Sequence, residues 1–205
     1  GAYLYDNGET DEGVVFVYNG SSTGIITTPS AMLESNQALA HFGREVKSAG
    51  DVNGDGYSDV IVGAADYDNG QLNEGAAYIF HGSAAGIITA PAIILESNQS
   101  NSGYGLSVDG AGDVNGDGYS DVIVGALQYS NIITDQGAAF IYYGSASGVN
   151  PIAALILYGD QNGCRFGYQA SCAGDINADG YSDIVVGAYS YDKGQVNEGA
   201  AFVYY

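Results

Sequence analysis

The sequence predicts an all-β fold built from repeated four-stranded antiparallel sheets, and three observations carry that expectation. Asp51, Asp113 and Asp175 are spaced by 62 residues, and each opens a recurring segment: "AGDVNGDGYSDVIVGA" at 49–64 returns letter for letter at 111–126, and 173–188 differs at four positions. Short apolar runs alternate with glycine-rich turns throughout. No segment combines a 3.6-residue apolar period with helix caps.

Each strand can be justified in order. "FGREVKSAG" and "YGLSVDGAG" are expected to form the first strand of a unit. "SDVIVGA" gives a second, continuously apolar and therefore buried on both faces. "GAAYIFHG" gives a third, rich in aromatic and small residues, and "PAIILES" a fourth, with proline at its start, where a missing N–H costs least. Four antiparallel strands per unit, repeated around an axis, is the pattern of β-propeller blades. The expected divisions are 1–37, the outer strands of a partial blade; 38–99 and 100–161, each a blade with an acidic loop; and 162–205, a partial blade with a third loop. Residues 1–19 align with 187–205, so the chain holds about three blades. Propellers close with about four to eight, so an incomplete ring is expected. The opening "GAYLYDNGET" has no initiator methionine and no signal-peptide pattern, and reads as a piece of a longer protein.

Composition narrows the function. The chain carries 24 acidic and four basic residues, a net charge of −20. A phosphate backbone would be repelled, which excludes nucleic acid as a partner. No apolar run approaches the roughly 18 residues of a membrane helix, so no membrane insertion is expected. At 46% hydrophobic, with 18 tyrosines, the chain can still bury a core. Cys164 and Cys172 flank "RFGYQAS"; eight strand steps separate them by about 26 Å, far beyond the roughly 7 Å a disulfide tolerates. Free thiols are expected.

The segment "DVNGDGYSD" carries the chemistry. Asp51, Asn53, Asp55 and Asp59 stand at positions 1, 3, 5 and 9 of a loop between the first two strands. Gly56 permits the sharp bend, and the carbonyl of Tyr57 can face the same centre. Such a set of hard oxygens suits Ca²⁺, which takes six to eight ligands at about 2.3–2.6 Å. Without a cation, two carboxylates about 4 Å apart repel by roughly 4 kcal/mol at an effective dielectric of about 20. Asp, Asn and Gly are also ordinary turn formers, but three loops with the same acids at the same positions favour the metal reading. No His or Cys lies in any loop, which disfavours zinc, and Mg²⁺ demands tighter octahedral geometry. An EF-hand fails because position 12 is Val62, Val124 or Val186 instead of Glu, and because strands flank the loop. A dockerin-type loop fails for the same reasons.

Other candidates are weaker. "YDNGQLNEG" at 67–75 and "YDKGQVNEG" at 191–199 read as solvated turns. His41 aligns with Gly103 and Arg165, and His81 with Tyr143, so both read as surface or packing residues. No Ser–His–Asp or Cys–His arrangement and no phosphate loop is suggested, and no enzyme activity is expected. The tyrosines read as strand packing. "NGS" at 19–21 and "NQS" at 98–100 are glycosylation sequons in form only.

"FG" at 42–43 followed by "AGDVNGDGYSDVIVGA" resembles the FG-GAP repeat of integrin α-chain β-propellers and related bacterial surface proteins, over essentially the whole chain. The resemblance implies a seven-bladed propeller with Ca²⁺ in the loops between first and second strands of some blades. Carried over by position, the ligands are Asp51, Asn53, Asp55, the Tyr57 carbonyl and Asp59; then Asp113, Asn115, Asp117, the Tyr119 carbonyl and Asp121; then Asp175, Asn177, Asp179, the Tyr181 carbonyl and Asp183. The proline of the "GAP" ending is absent, replaced by Ala65, Leu127 or Tyr189. The expected function is a non-catalytic, extracellular, calcium-binding module for adhesion to a protein or glycan ligand at the cell surface. The alternatives are a structural subunit that self-associates through open blade edges into a surface layer or filament, and a lectin-like glycan binder.

Overall fold

The computed structural model describes all 205 residues and contains strands, turns and no helix. The N-terminal sheet pairs β1 (Val14–Val17) with β4 (Ala31–Glu34), and a two-residue-stranded hairpin, β2 (Gly20–Ser21) with β3 (Gly24–Ile25), lies between them in sequence. The first full sheet is a meander of β5 (Val46–Gly50), β6 (Asp59–Ala64), β7 (Ala76–Phe80) and β8 (Ile93–Glu96). The second repeats it with β9 (Tyr104–Gly112), β10 (Asp121–Ala126), β11 (Ala138–Tyr142) and β12 (Leu155–Tyr158). The third has β13 (Phe166–Gly174), β14 (Asp183–Ala188) and β15 (Ala200–Tyr204). The sheets are open, and all pairings within them are antiparallel.

The central strands behave as their composition dictates. Every residue of β7, β10 and β11 is buried, because each of these strands lies between neighbours in its sheet and between the sheets on either side. β5 is shorter than "FGREVKSAG" suggests, beginning at Val46 where β9 begins at Tyr104. Pairing nevertheless runs on: Gly43 N–H donates to Gly63 O and Gly63 N–H to Glu45 O, each at 3.0 Å. Cys164 and Cys172 are both free thiols, the first buried beside β13 and the second within it.

Consecutive sheets meet through an aliphatic face on one side and a face of rings and aliphatic residues on the other. Ile61, Ala77, Ile79 and Leu95 of the first full sheet share one buried cluster with Tyr104, Phe140 and Tyr142 of the second. Ile123, Ala139 and Ile141 then cluster with Phe166, Ile184 and Val186 of the third, and Val15 and Leu33 of the N-terminal sheet with Phe42, Tyr78 and Phe80. Phe42, Tyr104 and Phe166, the aromatic residues of the repeated aromatic–Gly pair, are at most 1% exposed. Tyr104 satisfies its buried hydroxyl on the Tyr142 hydroxyl at 2.7 Å.

Glycines on both sides of the interface let two backbones touch: a β-carbon on Gly105 or Gly167 of the aromatic–Gly pair would stand 2.2 or 2.0 Å from the carbonyl oxygen of Ala76 or Ala138. A β-carbon on Gly63 would stand 2.0 Å from the carbonyl oxygen of Gly105, and one on Gly125 would stand 2.0 Å from that of Gly167. Backbone atoms cannot swing aside as a flexible side chain would. Gly125→Ala is therefore expected to destabilise the chain by about 1–3 kcal/mol, the usual cost of overpacking, read as a lower thermal midpoint. Gly20→Ala, whose β-carbon would meet nothing within 4 Å, should leave the midpoint nearly unchanged.

Candidate metal centre

Three loops, 51–58, 113–120 and 175–182, join the first and second strands of the three sheets at one end of each. Their backbones curl around the aspartate at position 1. In the first loop Asp51 Oδ1 accepts the Asp55 N–H at 3.1 Å and Oδ2 accepts the Gly56 N–H at 2.8 Å. Asn53 Oδ1 also accepts from Asp55 N–H at 3.0 Å, and Asp55 Oδ1 accepts from Tyr57 N–H at 2.9 Å. The second loop repeats this through Asp113, Asn115 and Asp117, and the third through Asp175, Asn177 and Asp179. Positions 1, 3 and 5 are thus brought together in all three. Gly54 and Gly56 hold φ of 71° and 89°, the left-handed region that the curl requires.

Position 9 sits deeper. Asp59, Asp121 and Asp183 are at most 1% exposed. A register shift at the base of each loop, between Ser48 and Gly50, Asp121 and Val122, and Cys172 and Gly174, accompanies this inward turn. Asp59 Oδ2 accepts the Val52 N–H and Oδ1 the Gly82 N–H, both at 2.9 Å. Asp121 does the same with Val114 and Gly144. Asp183 Oδ2 accepts from Ile176 at 2.6 Å, while its buried Oδ1 has no partner. In the first two loops position 9 therefore anchors the loop to the start of its own turn and to the glycine that follows the third strand; in the third it holds only the start of the turn.

No group of three or more acidic, His or Cys side chains converges closely enough by itself to hold a metal ion. The donor set depends on Asn oxygens and backbone carbonyls as well as carboxylates, and on the ninth-position aspartates, already engaged by N–H groups. A carboxylate has about four lone-pair sites, so an oxygen that accepts one N–H can still ligate.

The electrostatics fit a hard cation. None of the nine loop carboxylates forms an ion pair with Lys, Arg or His, although His81 lies near enough to Asp59 to favour its anion; the ion pairs of the chain are His41–Asp66, Lys47–Glu45 and Arg165–Asp135, all elsewhere. Burial pushes the Asp121 carboxyl up to about 6, against the N–H groups of Gly144 and Val114, and the neighbouring Asp117 and Asp113 push the same way. Burial raises Asp59 as well. Asp59 and Asp121 are thus held where the anion is disfavoured unless a positive charge arrives. The residues present fit a divalent, oxygen-seeking ion.

Two sequence readings need correction or extension. Glu74 lies in the turn 67–75 read as solvated, yet it is 0% exposed, and its equivalent Glu12 is 1% exposed, while Glu198 of the turn 191–199 is exposed. The reason is local: Glu74 Oε1 folds back to accept the Asn69 N–H at 2.6 Å and ties the turn from inside. Gly82 and Gly144, the second anchors of position 9, were not singled out; they too keep the 62-residue step, which was the available signal.

Anchoring and ligation separate by mutation. Asp59→Ala strands two buried N–H groups, each costing about 1–3 kcal/mol, so chelator-treated protein should lose roughly 2–5 kcal/mol in urea unfolding. Asp55→Ala removes an exposed side chain and should cost under about 1 kcal/mol under the same conditions.

Three segments, 48–80, 104–142 and 166–204, match the model of the FG-GAP repeat, together more than half of the chain. Among similar proteins, integrin alpha-3 of Cricetulus griseus is 32% identical over 183 residues, covering 87% of this chain and 17% of that protein. Integrin alpha-6 of Gallus gallus is 37% identical over 164 residues, 78% of this chain and 14% of that protein. Integrin alpha-IIb of Mus musculus is 33% identical over 172 residues, 80% and 16% respectively. The chain thus spans less than a fifth of the length of these relatives. Matching loops, aromatic–Gly pairs and meander sheets in all three repeats, the chain belongs to the FG-GAP repeat family, with an integrin-α-like β-propeller architecture.

Proposed function

We propose that this chain is a calcium-stabilised stretch of β-propeller from an extracellular adhesion or ligand-binding protein, and that its role is non-catalytic. One observation carries the calcium reading: nine carboxylates gathered in three loops without a single ion pair among them. The expected ligands are those at positions 1, 3, 5, 7 and 9 of each loop, with position 7 contributing its main-chain carbonyl. Each ion would offset the repulsion among the acids and fasten a hairpin tip that has few apolar contacts of its own. Extracellular calcium modules bind at about 10⁻⁴–10⁻³ M, so an environment rich in calcium keeps such sites filled. The partner we expect is a protein or a glycan at the cell surface, in keeping with the integrin-like architecture.

At free calcium ten times Kd, each filled site adds about 1.4 kcal/mol of stability. Three sites should then raise the thermal midpoint by roughly ten degrees for a chain of this size. Calcium added to EGTA-treated protein should give that rise, and Asp55→Ala should remove about a third of it. A midpoint indifferent to calcium and to EGTA would overturn the proposal.

A further inference from the structure

The first and second acidic loops are each built partly by the sheet that follows. The main chain of Asp51, which carries the position-1 carboxylate, has both of its hydrogen-bonding groups taken by one residue of the second sheet. Its N–H donates to Ser120 Oγ at 3.2 Å, and its carbonyl accepts the Ser120 N–H at 3.0 Å. The next carbonyl, Val52 O, accepts the Ser145 N–H at 3.1 Å, again from the second sheet. The ring of Tyr119 lies over Gly54, so close that a β-carbon there would stand 2.6 Å from it. A β-carbon on Gly50 would stand 2.3 Å from Ser120 Oγ.

The arrangement recurs one sheet on. Ser182 N–H donates to Asp113 O at 2.8 Å, the Tyr181 ring would meet a β-carbon on Gly116 at 2.5 Å, and Ser182 Oγ would meet one on Gly112 at 2.3 Å. The residues in both cases are positions 7 and 8 of the following loop: the tyrosine packs its ring and the serine makes the hydrogen bonds. Each Tyr–Ser pair therefore serves two loops: in its own it supplies the position-7 carbonyl, and in the preceding one it fixes the backbone of position 1.

We propose that Tyr119 and Ser120 are positioning residues for the cation of the first loop, and Tyr181 and Ser182 for that of the second, so that the three sites are linked in series across the sheet interfaces. The proposal rests on the calcium reading above. Toward the preceding loop these residues do not touch the cation themselves; they hold the position-1 carboxylate at the angle it needs. Position 1 is where support matters most, because its two oxygens also organise the curl of the loop through the Asp55 and Gly56 N–H groups.

The test isolates the first loop in the full chain, with Asp117→Ala and Asp179→Ala silencing the other two, and titrates calcium by calorimetry. Ser120→Ala in that parent should weaken affinity about three- to tenfold, and Ser120→Thr, which keeps the hydroxyl, should restore it. Tyr119→Ala should weaken it further. Ser58→Ala is the contrast: Ser58 lies inside the first loop itself, exposed and with no hydroxyl hydrogen bond, and its loss should leave affinity unchanged. A merely structural role for Ser120 would lower the chelated thermal midpoint while leaving the calcium Kd alone. Calcium binding by the parent with unchanged Kd in Ser120→Ala overturns this proposal alone. No binding by the parent overturns the calcium reading and this one with it.

Discussion

The contact between one sheet and the next is the constraint from which the rest follows. A single twisted four-stranded sheet has two faces to cover, and here each covers its neighbour: Ile61, Ala77, Ile79 and Leu95 from one side, Tyr104, Phe140 and Tyr142 from the other. Aromatic rings supply large buried area and the aliphatic face supplies a surface to seat them. The aromatic–Gly pair serves both needs at once, placing a ring in the cluster and removing the β-carbon that would hold the two backbones apart. Because the sheets stack so closely, the loops at their ends are also forced together.

That crowding explains the acidic loops better than their own sequence does. In isolation "DVNGDGYSD" is a flexible turn with self-repelling charge. In the fold its first residue is gripped by the following sheet and its last is buried against backbone N–H groups. Burial raises Asp121, and the protein tolerates a carboxylate in that condition because two N–H groups offset part of the desolvation. The loop is thus held from below and from the side, with its remaining oxygens toward solvent.

Much of this was legible in the residues, for physical reasons. β10 after its opening aspartate, and β11, are continuous runs without a charged residue because both faces are covered, and such runs are visible in any sequence. The loops were visible because a carboxylate pattern repeated three times is hard to mistake for turn chemistry. What stayed hidden depends on partners distant in the chain. The Gly82 N–H that holds Asp59 lies 23 residues away, and Ser120 lies 69 residues from Asp51. Glu74 was misread because an acid amid glycine and asparagine looks solvated, and only the fold shows it turned inward. The β2–β3 hairpin escaped notice because its neighbour in sequence space, "HGSAAGI", makes the same Ser-to-carbonyl turn without extending into strands.

The interface between sheets is directional: the face that buries Ile61, Ala77, Ile79 and Leu95 in one sheet meets the opposite face of the next, which buries Tyr104, Phe140 and Tyr142, and the step repeats with Ile123, Ala139 and Ile141 against the face that carries Phe166. A duplication or deletion of one whole repeat in the gene would therefore join surfaces that already match, with no second change needed to mend the seam. Such an array can grow or shrink by recombination while each intermediate still folds, which gives a simple origin for copies that remain so nearly identical.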